Sequence, residues 1–174
     1  MKVKNLPLSA ILIIASAIFL SCGDSPSSTC LDITDDPEGN ITDGLRVKLS
    51  TDKDTYLSGE NPELSLTVAN VSDQPINITF TSSKEYDFVI CRGGMNVWTW
   101  SHDLVFAFPI TEVAIQPGKQ YPFPGFSDGI AREIWERRDN LRNTVPFGNY
   151  TVYGQFNRYD SNKKMIRLEY VKAK

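Results

Sequence analysis

The sequence predicts an all-β fold, an antiparallel sandwich or barrel, on two observations. After residue 44, apolar residues recur at every second position: Val47 and Leu49; Leu64, Leu66 and Val68; Ile76, Ile78 and Phe80; Tyr86, Phe88 and Ile90. That period marks strands with one face in a core and one in water. Turn-forming clusters separate the runs, "SGENP" at 58–62, "NVSDQP" at 70–75, "RGG" at 92–94 and "QPGKQ" at 116–120. Short strands spaced by such clusters build sandwiches and barrels. At 174 residues and a formal charge of −3, the chain has material for one core.

The elements follow in order. "MKVKN" is positively charged, residues 6–20 form a fifteen-residue apolar run, and "FLSC" ends it at Cys22. This reads as a bacterial lipoprotein signal over residues 1–21, since the run falls short of the roughly 20 residues that span a bilayer and a small Ser21 precedes Cys22. Phe19 stands where that pattern usually has leucine; the alternative is an ordinary secretory signal cleaved elsewhere. Lipid on Cys22 would tether the protein to a membrane of the bacterial cell envelope without spanning it. Residues 22–44 are acidic and turn-rich, with Asp32, Asp35, Asp36, Glu38 and Asp43, and are expected to be a flexible linker. Their spacing lacks the alternation and terminal glutamate of a calcium loop. The folded domain is expected over 45–174.

Near the C-terminus, "NYTVYGQF" at 149–156 alternates Tyr150, Val152 and Phe156, and "MIRLEYV" at 165–171 alternates Ile166, Leu168 and Tyr170. Both read as antiparallel strands. "GIAREIWERRDN" at 129–140 is either a short helix with Ile130, Ile134 and Trp135 inward or a strand through Ile134 and Trp135.

Chemistry is concentrated in "NVWTWSHDLVF", where His102, the only histidine, lies between Ser101 and Asp103. On a strand, Ser101 faces away from Trp100 and His102, so three consecutive residues cannot converge as a nucleophile, base and orienting acid. A packed aromatic hairpin is the expectation. Cys30 and Cys91 lie far apart with one histidine, a poor match to zinc-ligand spacing. There is no phosphate-binding glycine loop, nucleophile elbow or H-E-x-x-H motif. The expectation is a non-catalytic chain with no metal and no cofactor.

Removing Lys2 and Lys4 from the 18 basic residues leaves 16 against 21 acidic ones, a net charge of −5. Without a basic run, the chain has no electrostatic footprint for nucleic acid. With Cys22 taken by lipid, Cys30 and Cys91 are an even pair in an exported protein. They are expected either to bond, pinning the linker to the domain with about 4 kcal/mol of stabilisation, or to remain free thiols.

The order of several motifs resembles the BsuPI family of intracellular proteinase inhibitors across most of residues 45–157. These are the Asn70-x-Ser72 turn, the Tyr86-Asp87-Phe88 strand, Val97-Trp98-x-Trp100-Ser101, the Pro117-Gly118 turn and Pro146-x-Gly148-x-Tyr150-Thr151-Val152. Two features differ: the export signal, and "PFPGFSDGIARE" at 122–133, which looks like an insertion. The resemblance implies an immunoglobulin-like antiparallel β-sandwich, monomeric, with a protein partner such as a serine protease. Inhibition would need a loop that enters the protease cleft as an extended segment. The candidates are 91–95, where Arg92 beside Gly93 and Gly94 would suit a trypsin-like pocket, and 120–125, with Tyr121, Pro122 and Phe123. The alternative is an immunoglobulin-like interaction module of the cell envelope with no inhibitory activity.

Overall fold

The alternation in the sequence becomes two facing sheets. The structure, a computed structural model, describes Cys30 and residues 33–171. Strands β1 (Asn40–Thr42), β2 (Leu45–Thr51), β4 (Glu63–Asn70) and β9 (Ala131–Ile134) form one antiparallel sheet in the order β1-β2-β4-β9. The second sheet has the order β3-β11-β10-β6-β7, from β3 (Thr55–Tyr56), β6 (Tyr86–Arg92), β7 (Met95–Thr99), β10 (Gly148–Phe156) and β11 (Tyr159–Leu168). Its pairs are antiparallel except β3 with β11. A separate ribbon pairs β5 (Ile76–Phe80) with β8 (Thr111–Ile115).

The core lies between the sheets because each strand's apolar set is in register with its neighbour's. Val47 faces Val68 and Leu49 faces Leu66 across β2 and β4. All four are buried in one cluster with Phe88, Ile90, Tyr150 and Val152 of the opposite sheet. Leu66 packs directly on Gly154 of β10, where an added Cβ would lie 2.5 Å from Leu66 Cδ1. Tyr150 closes one end of the sandwich by donating its hydroxyl to the Pro146 carbonyl, 2.5 Å away. That bond has the form of a tyrosine corner.

Three segments differ from the sequence expectation. Residues 33–44 are not a free linker. Ile33 is buried, Thr34 accepts a backbone hydrogen bond from Lys163 (2.6 Å), and Asn40–Thr42 pairs with β2. The reason is that β6 is apolar on both faces. Phe88 and Ile90 point to the main core, while Val89 and Cys91 form a second small cluster with Cys30, Ile33 and Tyr153. A disulfide joins Cys30 to Cys91, with Cα atoms 6.4 Å apart. The signal over 1–21 and Cys22 lie outside the described residues.

Residues 122–140 hold a strand and belong to the sandwich. Ala131–Ile134 pairs with β4, Ala131 and Trp135 are fully buried, and Ile134 faces solvent. Trp135 satisfies its indole by donating to the Arg138 carbonyl at 2.8 Å. Lastly, β11 begins six residues before the expected "MIRLEYV", in a polar stretch. Its buried Ser161 accepts from Gly154 N (2.8 Å), and Asn162 Oδ1 accepts from Leu49 N (2.8 Å). Side-chain amide and hydroxyl groups there do what backbone pairing does elsewhere, and a polar run gives no period-2 signal.

Candidate protein-interaction site

The family-like motifs turn out to be clamps. Asp87, in the middle of β6, is fully buried. Its carboxylate accepts from Phe88 N (2.9 Å), Ser101 N (3.1 Å) and the Ser101 hydroxyl, and it pairs with the Lys84 ammonium. Lys84 also donates to Ser101 Oγ at 2.9 Å. A buried carboxylate with one cation and three donors is satisfied on both oxygens, which is the condition for tolerating it in a core. Asn70 does the same across the molecule. Its Nδ2 donates to the Gln74 and Ile115 carbonyls (2.7 and 2.8 Å), while its Oδ1 accepts from Ser72 N and Oγ (2.9 and 2.7 Å).

The Asp87 clamp decides the fate of Ser101, His102 and Asp103. The strand ends at Thr99, and Trp100–Asp103 forms a 3₁₀ turn. Side-chain divergence therefore comes from a helical turn rather than from strand alternation. Ser101 gives its proton to Asp87. His102 lies half-exposed with Nε2 3.9 Å from Asp103 Oδ1, and Asp103 receives two bonds from Arg142, 3.1 and 2.8 Å long. The three do not converge. Among the described residues no group of three or more His, Cys, Asp or Glu is placed to hold a metal ion.

The aromatic residues pack behind this turn. Trp100 stacks on Tyr86 with centroids 4.6 Å apart, and Trp98 tilts against Trp135 at 6.4 Å. The Tyr86 hydroxyl donates to Glu133 Oε1 at 3.0 Å. Burial holds the Glu133 carboxyl above its ordinary range, against the opposing effect of that hydrogen bond, and burial likewise raises the Tyr86 hydroxyl.

Of the two expected loops, one is a tight turn and the other has its aromatics buried. Gly93 and Gly94 form a two-residue hairpin turn between β6 and β7, with φ of +58° and +83°. Positive φ at both central positions is the signature of a type I′ turn, and so short a turn holds no extended segment. Arg92 lies over the Tyr150 ring, 5.6 Å from its centroid, with Nη2 3.4 Å from the Phe147 carbonyl. Tyr121 and Phe123 are 3% and 1% exposed and pack with Phe156 in the core. Pro122 is exposed between them, so alternation turns the two aromatics inward and leaves the proline outside.

A different segment has the required form. Residues 104–110, "LVFAFPI", connect the 3₁₀ turn to β8 without regular structure. Val105 is 99% exposed, Phe108 86% and Ile110 76%. The backbone is extended at Leu104 (φ −99°, ψ 146°), and Pro109 biases Phe108 the same way. Ser83 anchors the middle: its N–H donates to the Ala107 carbonyl (2.9 Å) and its hydroxyl accepts from Ala107 N (3.0 Å). Phe106 turns inward, its ring 6.0 Å from Trp100. At one end Asp87 holds Ser101, and at the other Thr111 pairs with Phe80. The sequence does carry a signal, five apolar residues in a row at 104–108 followed by Pro109 and Ile110. Such a run reads equally well as a buried strand, and only the fold shows that it stays outside.

Solved structures overlap with the fold at low similarity. The alkylpurine DNA glycosylase AlkC of Pseudomonas fluorescens is 15% identical over 72% of this chain and 30% of that one, with a TM-score of 0.43. The sporulation control protein Spo0M of Bacillus subtilis is 15% identical over 74% of this chain and 50% of that one, with a TM-score of 0.41. A β-glucosidase of Listeria innocua is 13% identical over 74% of this chain and 16% of that one, with a TM-score of 0.40. This chain spans half or less of the length of these proteins. No curated protein matches it. The model of the BsuPI family, intracellular proteinase inhibitor, matches residues 49–159, from the middle of β2 to the start of β11. Nearly the whole sandwich, with both polar clamps, falls inside that match, and the chain belongs to the BsuPI proteinase-inhibitor family.

Proposed function

We propose that this protein is a non-catalytic, BsuPI-type inhibitor of a serine protease, monomeric and held at the bacterial cell envelope by lipid on Cys22. The observation that carries the reading is the family match across the sandwich. Two features support it. Ser101, whose hydroxyl also meets the Lys84 ammonium, is committed to a buried carboxylate and is no free nucleophile. Cys30 and Cys91 are bonded, which fits an exported protein better than a cytosolic one.

The test is a titration of the full-length protein, purified in mild detergent, against a panel of serine proteases. Stoichiometric loss of hydrolysis, with the chain intact or nicked once, is the expected result; no effect across the panel contradicts the reading. The anchor is tested separately by fractionation. Cys22→Ala is expected to move the protein to the soluble fraction, and retention on the membrane contradicts lipid attachment.

A further inference from the structure

Most exposed apolar residues of this protein stand singly, as on any surface. Residues 104–110 are different, because three of the most exposed ones, Val105, Phe108 and Ile110, share one short segment. Water offers these side chains nothing, and the segment is still held in place. The Ala107 peptide is fixed by Ser83, the Leu104 N–H donates to the Ser101 carbonyl at 3.1 Å, and Arg142, donating Nε and Nη2 to one oxygen of Asp103, braces the turn before it. The peptide groups of Val105 and Phe108 bond to no other part of the described chain. No residue from 104 to 110 has positive φ. The segment is thus an irregular, anchored stretch, extended at Leu104, with free peptide groups at Val105 and Phe108 and with the Val105, Phe108 and Ile110 side chains in solvent.

That combination is what a protease cleft binds. A substrate in the cleft pairs through free backbone groups while its side chains enter pockets. A loop that is already anchored loses little conformational freedom on entering. Charge selects the pocket type. The segment contains no Lys or Arg, so it offers nothing to the acidic specificity pocket of a trypsin-type enzyme, whereas the hydrophobic slot of a chymotrypsin-type enzyme suits it.

We propose that residues 104–110 are the segment that enters the target protease, and that the target is a serine protease with apolar subsites, filled by Val105 and Phe108. The proposal rests on the proteinase-inhibitor reading and adds the contact segment and the class of enzyme to it. The Asp87–Ser101–Lys84 clamp acts through the turn as a positioning device and touches no partner.

The experiment compares the full-length protein in mild detergent with a Val105→Asp/Phe108→Asp variant and with Ile41→Asp, an exposed apolar position on β1. Each is titrated against chymotrypsin, subtilisin and trypsin. Both loop side chains lie in solvent, so circular dichroism and the melting temperature should be unchanged. The expected result is inhibition of chymotrypsin or subtilisin but not trypsin, weakened by about a hundredfold or more in the loop variant and unaltered in Ile41→Asp. If the parent inhibits and the loop variant inhibits equally, the segment is wrong and the inhibitor reading stands. Equal inhibition of trypsin removes the apolar-pocket assignment. If the parent inhibits none of the three, the proposal fails; a wider panel then decides the inhibitor reading itself. Co-sedimentation with phosphatidylethanolamine/phosphatidylglycerol vesicles, lost in the loop variant while inhibition is retained, would make the segment a membrane contact and overturn the proposal.

Discussion

Glu133 and Asp87 show how two carboxylates in one sandwich behave differently. Burial holds Glu133 above its ordinary range, and the Tyr86 hydroxyl bond only partly offsets that. Between the unfolded value near 4.5 and the raised folded value, the folded chain binds more protons than the unfolded one, so stability falls as pH rises through that window. Glu133→Gln keeps an acceptor for Tyr86 and removes the charge. Thermal melting of this variant is expected at a higher temperature than the parent at pH 7, with a shallower decline across the window; a lower melting temperature at pH 7 contradicts the assignment. Glu85, also raised by burial, contributes a slope of the same sign. Asp87 has its oxygens fully engaged. Asp87→Ala leaves the Ser101 and Phe88 amides and Lys84 without their acceptor, and about 3 kcal/mol of stability is expected to go. Urea denaturation measures it, and a loss below about 1 kcal/mol would show that the clamp is dispensable. The sequence singled out Asp87 only as part of a family-like motif, because nothing local shows that Ser101 and Lys84 meet at it.

At the scale of elements, alternation was enough to read β2, β4, β5, β6 and β10, since each carries an apolar set at every second position. It failed where the physics that forms a strand is not alternation. β1 holds few apolar residues and depends on pairing with β2, and the polar start of β11 depends on Ser161 and Asn162. The 3₁₀ turn at Trp100 depends on a buried carboxylate thirteen residues earlier in sequence. Docking of residues 33–44 is tied to the Cys30–Cys91 bond, with a sequence separation of 61. Closing a loop of that size stabilises the fold by about 4 kcal/mol in the chain-entropy model. Replacing both cysteines with alanine is expected to lower stability by that order, and hydrogen exchange should quicken at Ile33 and along β1 before it does in β4. Unchanged exchange at β1 would mean that strand pairing alone holds the segment.

For the molecule as a whole, the sandwich was legible and the exposed apolar segment at 104–110 was not. Turn clusters and paired prolines drew attention to 91–95 and 120–125, yet Arg92 is laid across Tyr150 and the aromatics beside Pro122 fill the core. Exposure depends on what the rest of the chain leaves uncovered, and no window of sequence contains that. On this proposal the sandwich is a rigid frame, clamped at Asp87 and at the β5–β8 ribbon, that holds one exposed apolar segment out to a protease. Hydrogen exchange of the protein alone and in complex with an inhibited, catalytically inactive serine protease tests this most directly. Slowed exchange concentrated at residues 104–108 and 110–111, with β1, β2 and the Gly93–Gly94 turn unchanged, is the predicted result. Protection centred on another loop or sheet face, with residues 104–110 exchanging as fast as in the free protein, would contradict it.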